Sequence, residues 1–243
     1  MINWSELSTQ GGCWLVDDPT ALPHPAFQVQ KAVKMRASSR AERTRKAILD
    51  AALELLSERG YAGTTIPDVM AKAQVGAGSL YRQFPGKEAL ANEVFREASR
   101  RLVRRLFPER EPLTREGPRK AREAFETFWW RLVDFARDEP LAFRFLELQD
   151  HAGYMDGESR QLDATALAPL FVGFLRLQEA GRIRADLRPD AILAIIWGAL
   201  VSLVKNERLG YVRVNQETLQ ATCDLLYQGL KPPQRGAPKG LSA

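Results

Sequence analysis

The sequence predicts an all-α fold, and three observations carry that reading. Between residues 40 and 230 apolar residues recur at three- and four-residue spacing, the period of an α-helix with one buried face. Alternating apolar and polar runs bounded by hairpin turns are missing. The composition, 45% hydrophobic and 27% charged over 243 residues, is that of a globular chain able to bury a core without disulfides or a structural metal.

Ile48, Ala51, Ala52, Leu55 and Leu56 form the first stripe, which Gly60 ends. Ile66, Val69, Met70 and Ala73 form a short second one, Leu80 and Phe84 a third within Ala77 to Phe84, and Ala89, Leu90, Val94 and Phe95 open a longer fourth helix. Ala121 to Phe135, Leu141 to Leu148, Leu162 to Leu177, Ala191 to Val204 and Leu219 to Leu230 follow as further helices. Residues 1–39 and 231–243 carry Pro and Gly without a sustained period and are expected to be flexible tails. Met35, just ahead of the first regular element, is a candidate alternative start.

The net charge of +5 is unevenly spread. Residues 36–107 hold 14 Lys/Arg against 8 Asp/Glu, while residues 108–243 hold 19 of each. A basic block beside a neutral one points to a module that meets a polyanion, joined to one with another task. Several classes are excluded. Cys13 and Cys223 have no partner at ligand spacing, so neither a disulfide framework nor a metal site is expected, and no cofactor is implied. The longest nearly apolar run, Ala191 to Val204, is 14 residues. A spanning helix needs about 20, and the N-terminus lacks a signal-peptide pattern, so a cytoplasmic protein with no membrane partner is expected. No Ser/His/Asp or Cys/His set occurs: His24 is in a tail and His151 has no evident nucleophile, so the chain reads as a non-enzyme.

Tyr61 to Phe84 carries the chemistry. Thr65-Ile66-Pro67-Asp68 is a capping-box start, with a hydroxyl N-cap, Pro in the first turn and an acid three residues on. Gln74-Val75-Gly76 makes a tight turn, Gly76 capping the next helix. Two short helices so joined match a helix-turn-helix, whose second helix enters the DNA major groove. On that helix Leu80 and Phe84 share an anchoring face and leave Ala77, Gly78, Ser79, Tyr81 and Arg82 on the other. Small residues at its N-terminal end allow close approach, and the helix dipole there favours phosphate. Arg82 can grip guanine O6 and N7, while Ser79 and Tyr81 offer hydroxyls to phosphate. Arg43, Arg45 and Lys46 would stand where the first helix begins, against the dipole, which implies an external anion.

The stretch RTRKAILDAALELLSERGYAGTTIPDVMAKAQVGAGSLYRQFPGKEAL closely resembles the DNA-binding domain of the tetracycline-repressor (TetR) family. The features carrying the resemblance are Gly60-Tyr61, Thr64-Thr65-Ile66, Val75, Ser79-Leu80-Tyr81 and Phe84-Pro85-Gly86-Lys87-Glu88. It implies a three-helix helix-turn-helix DNA-binding domain over 40–86 and a larger helical effector-binding and dimerisation domain over 87–230. It also implies that Ala77, Gly78 and Arg82 face base edges and that Thr65, Ser79, Tyr81, Gln83 and Lys87 contact phosphate. The family often has serine where this chain has Gly76 and a polar residue at Ala77, which leaves Arg82 as the main base reader.

In the neutral part, aromatic side chains are concentrated in several helices. An apolar cavity for a small hydrophobic or aromatic effector would draw on Phe125, Trp129, Phe143, Phe174 and Trp197, with His151 as an orienting polar group. Core packing is the simpler account of the same aromatics, since such side chains dominate cores. Ala191 to Val204 is apolar almost all round, so burial on several sides is expected. Resemblance implies that this helix and the last one pair with a second copy through Trp197, Gly198, Val201, Leu219, Cys223 and Leu226. The expected function is a ligand-responsive bacterial transcriptional regulator, a repressor, binding a pseudo-palindromic operator as a homodimer. The alternative is a DNA-binding regulator or architectural protein of the same fold without an effector.

Overall fold

The computed structural model describes residues 25–108 and 118–233, with side chains from residue 40 in the first stretch and residue 121 in the second. The described residues form helices only. The chain divides into two compact units, 1–43 and 44–243. Helix α1 runs Pro25–Gly63, so it begins inside the segment read as an N-terminal tail, where no Pro or Gly interrupts from Ala26 to Arg59. The remaining tail, 1–24, and the end of the other, 234–243, lie outside the described residues.

Near its end α1 kinks at Gly60, whose φ of 70° and ψ of 179° lie in a region that essentially only glycine occupies. Helix α2, Ile66–Ala73, starts as the sequence predicts: the Thr65 hydroxyl accepts from the Asp68 amide at 3.3 Å, and the Asp68 carboxylate accepts from the Thr65 amide at 3.3 Å. Gln74 ends it in the left-handed region (φ 55°), and Val75 N–H donates to Met70 O at 3.1 Å. Helix α3 is Ala77–Tyr81, capped by Gly76. Amides of Gln83 and Phe84 both donate to Leu80 O at 2.9 Å and carry the turn on to Phe84. Pro85 then stops it.

Helix α4, Lys87–Leu106, packs against α5 (Pro118–Asp138), α6 (Pro140–Leu148) and α7 (Gly157–Ala166). Helix α8 is Ala168–Glu179, α9 Pro189–Arg208 and α10 Gln216–Leu230; α9 packs on α8 and α10, and α10 on α5. The expected single helix from Leu162 to Leu177 is two. Pro169, early in α8, has no amide to donate and would crowd the carbonyl four residues back, so the chain breaks at Leu167. One buried cluster runs from Ile48, Leu56, Leu80 and Phe84 through Phe95 and Leu102 to Trp129, Phe135, Phe143 and Leu200. Helix α9 is 20 residues long and by length and composition could cross a membrane, more than its 14-residue apolar run suggests. The chain buries one side of it, Ile192, Leu193, Ile196 and Leu200, and leaves Ile195 53% exposed, so burial on several sides does not hold within one copy.

A Cβ on Gly60 would stand 2.9 Å from Gln149 Oε1 as well as at an unfavourable φ. Gln149 itself donates to Ser57 O at 3.0 Å. Gly60→Ala is therefore expected to cost about 1–3 kcal/mol of stability in urea unfolding. An unchanged midpoint would show that the kink is not required.

Candidate functional site

Leu80 is fully buried and Phe84 is 3% exposed, so α3 is pinned by these two residues. Gly76, Ala77, Gly78, Tyr81 and Arg82 are exposed, and Ser79 and Gln83 partly so. No atom lies within 4 Å of a Cβ built on Gly76 or Gly78, leaving this edge open. Arg82 Nη2 donates to Ser79 Oγ at 3.3 Å, and Lys87 Nζ sits 4.2 Å from the centre of the Tyr61 ring. Among the described residues neither cation has a carboxylate at ion-pair distance, although most other basic side chains of the segment do. Thr65 is exposed, its hydroxyl engaged with Asp68 at 2.6 Å.

The cations of the first helix behave otherwise than expected. Because α1 begins at Pro25, Arg45 and Lys46 stand in its body and do not oppose a helix N-terminus. Arg45 is 2.9 Å from Glu93 Oε1 and stacks 4.7 Å from the Phe84 ring centre; Lys46 reaches Asp50 at 2.5 Å. Their charge is answered internally, and no external anion is called for. Arg43 is exposed on α1 and belongs to the N-terminal unit. With five residues, α3 also has little macrodipole to offer a phosphate.

Three hollows among the described residues of the 44–243 unit bear on ligand binding. A groove of about 530 Å³ beside α2 is lined by charged residues already paired with one another, Lys72 with Glu54 at 2.5 Å and Arg101 with Glu139 at 3.2 Å. Phe125 and Phe174 face an apolar pocket of about 50 Å³, too small for an effector because the rings fill it. The third, about 660 Å³, is lined by Phe95 and Leu102 of α4, Glu147 of α6, Asp163 of α7 and Trp197 and Val201 of α9, with His151 and Gly198 also on its wall. Its size suits a small-molecule ligand. Trp129 and Phe143 are 0% and 1% exposed and line neither the 50 nor the 660 Å³ space, so as ligand residues they are corrected to core.

Two polar groups stand out in the larger cavity. Glu147 Oε2 accepts the Trp197 indole N–H at 2.6 Å. Burial pushes its carboxyl up to about 7, against the lowering effect of that hydrogen bond. Periodicity passes over Glu147, whose one sequence signal is a lone acid in the apolar run LAFRFLEL. His151 has no nitrogen left to orient a ligand: Nε2 is 3.2 Å from Leu146 O and must donate, so in the neutral ring Nδ1, 2.6 Å from the Tyr154 hydroxyl, accepts. Burial lowers the His151 pKa and keeps that ring neutral. Tyr154 is 3% exposed and stacks on Tyr61 at 4.6 Å, so the cavity wall, Tyr154, Tyr61 and Lys87 touch in series. Asn92, also buried, ties the same loop to α4 by donating to Tyr154 O at 2.7 Å and accepting from Asp156 N–H at 2.9 Å.

Of the residues expected at a dimer face, Trp197, Val201 and Leu226 are partly buried and Gly198 is exposed. Leu219 and Cys223 are 1% and 0% exposed within one chain. They pack the chain's own core and cannot meet a partner, and burial pushes the Cys223 thiol up to about 11. Within α9 and α10 the large apolar side chains that point outward are Ile195 and Leu225, the latter 73% exposed.

Comparison with known proteins agrees with this architecture. Residues 48–94 match the family model for bacterial regulatory proteins of the tetR family, and residues 102–228 that for the tetracycline-repressor-like C-terminal domain. The chain is 26% identical over 192 residues to the HTH-type transcriptional repressor DhaR of Mycobacterium sp. strain GP1, covering 77% of this chain and 92% of that protein. It is 38% identical over 68 residues, 28% of this chain and 36% of the other, to the HTH-type transcriptional repressor Rv3405c of Mycobacterium tuberculosis. A TetR-family transcription regulator from Marinobacter aquaeolei shares the fold at a TM-score of 0.65 and 16% identity, over 79% of this chain and 98% of that one. A helix-turn-helix built on α2 and α3, a larger helical part behind it and family models that match both together make this chain a member of the TetR family of transcriptional regulators, which bind DNA and are not enzymes.

Proposed function

We propose that the protein is a ligand-responsive repressor that binds a pseudo-palindromic operator as a homodimer and leaves it when a small molecule occupies the 660 Å³ cavity. The observation that carries the DNA-binding half is the exposed edge made by α3 and the first residue of α4, where Arg82 and Lys87 lack carboxylate partners among the described residues while Leu80 and Phe84 fix α3 beneath. In this reading Ala77, Gly78 and Arg82 meet base edges, and Thr65, Ser79, Tyr81, Gln83 and Lys87 meet phosphates. DhaR and Rv3405c are both repressors, which supports the same sign of regulation here.

The exposed Ile195 of α9 and Leu225 of α10 supply apolar surface for a second copy, whereas Trp197, Gly198 and Val201 line the cavity. A two-fold pair would set the α3 helices about one DNA turn apart. An effector changes DNA affinity only by binding the two conformations unequally. The series of touching side chains from His151 through Tyr154 to Tyr61 and Lys87 gives the cavity a physical route to the interface.

Arg82→Ala should reduce discrimination among base-substituted operators by about 1–3 kcal/mol per half-site. Lys87→Ala should instead weaken all DNA alike and lessen the salt slope by about one for each phosphate no longer neutralised. Equal losses of discrimination in both variants would remove Arg82 as the reader. Leu225→Glu should give a folded monomer by analytical ultracentrifugation; a dimer of ordinary strength would move the interface elsewhere. The cavity also has a pH signature. Glu147 holds its proton more tightly folded than unfolded, so its contribution to stability falls as pH rises from 4.5 to about 7 and then levels. Glu147→Gln should abolish this fall, a relative gain of roughly 1–3 kcal/mol between pH 5 and 8 in urea unfolding. A difference between the two proteins that is constant with pH contradicts the assignment.

A further inference from the structure

The wall of the 660 Å³ cavity is unusual in the sign of its charges: Glu147, Asp163 and Asp190 line it, and no lysine or arginine does. These acids are not equivalent. Asp190 is satisfied by Arg188, whose Nε and Nη2 donate to it at 3.1 and 2.6 Å, and Asp163 is exposed. Glu147 is the inner group. One of its oxygens is held by the Trp197 indole at 2.6 Å, and among the described residues no cation stands at ion-pair distance from it. The basic residue nearest in kind, His151, is kept neutral by burial and has both nitrogens engaged. Around Glu147 the wall is aromatic and aliphatic, with the rings of Trp197 and Phe95 and the side chains of Leu102, Met155 and Val201.

We propose that this cavity takes an organic cation, an amine or ammonium group on an aromatic or aliphatic body, with the Glu147 carboxylate as its counter-ion. Trp197 orients that carboxylate and leaves its second oxygen for the ligand. A purely apolar occupant would strand a polar group against its surface, and an anion would meet like charge in a space partly closed to water. An ammonium group satisfies the carboxylate and is further attracted by the aromatic rings. The inference rests on the reading of this cavity as the effector site, and it replaces the neutral hydrophobic effector that the aromatic content alone suggests.

The test uses three probes of one shape, 4-phenylbutylamine, 4-phenylbutanol and 4-phenylbutyrate, titrated calorimetrically into the full chain at pH 7.5. The amine is expected to bind about tenfold or more tighter than the alcohol, and the butyrate most weakly. Glu147→Gln, whose amide oxygen can still accept the Trp197 N–H, should bring amine and alcohol to within about threefold of each other. Alcohol or butyrate binding as tightly as the amine, an amine preference that survives Glu147→Gln, or no binding by any probe overturns the proposal. DNA affinity measured with each probe separates the two readings. Glu147-dependent amine binding that leaves DNA affinity untouched upholds the cation site and ends its role as effector site. An alcohol that matches the amine and releases DNA ends the cation proposal and keeps the effector reading.

Discussion

A five-residue helix has no stability of its own in water, because the cost of fixing its first turn is never recovered. The candidate DNA-reading edge therefore depends on the burial of Leu80 and Phe84 in the core that α1 and α4 share. Everything exposed on α3 is aimed by those two side chains. Arg45 strengthens the arrangement from outside, stacked on Phe84 and paired with Glu93 of α4. Helix α4 then turns the same rigid body toward the cavity through Phe95 and Leu102. One helix thus backs α3 and walls the 660 Å³ cavity, the two places that the proposed function links.

A second tie runs along the loop after α6. Tyr154 is sandwiched between Tyr61 and His151, Asn92 satisfies the loop backbone, and Arg96 joins Glu93 to Asp156, which caps α7. Gln149 and Arg144 both donate to Ser57 O, close to the Gly60 kink. The buried Asn92 amide, satisfied through both its nitrogen and its oxygen, defines one arrangement sharply, whereas apolar packing tolerates small slides. The bonds to Ser57 O tie the end of α6 to α1 just ahead of the Gly60 kink that precedes the helix-turn-helix.

The local features were legible in the sequence because they are local. The Thr65 capping box, the turn at Gln74 to Gly76 and the stripes of α1 to α4 all come from residues within one or two turns of one another. What escaped depends on distant partners or on one overriding residue. Pro169 breaks a stripe that periodicity alone carries through Leu167. Arg45 and Lys46 look like unanswered cations until the helix is seen to start at Pro25 and Glu93 and Asp50 are seen beside them. Leu219 and Cys223 share the apolar stripe of α10 with Leu226, but only the packing of α5 and α9 decides which of them is spent inside one chain. Glu147 is hidden for the opposite reason, a single acid whose meaning comes from Trp197, fifty residues away.

The proposed function stands on the chain reading sequence as a symmetric pair, which is more than binding a polyanion with a basic face. Selection of bound fragments from genomic DNA by the purified protein at near-physiological salt tests it most directly. A shared pseudo-palindrome with half-sites about one helical turn apart is the predicted result. Recovery of fragments with no common site, together with a steep loss of binding as salt rises, would leave only the electrostatic term and contradict the claim.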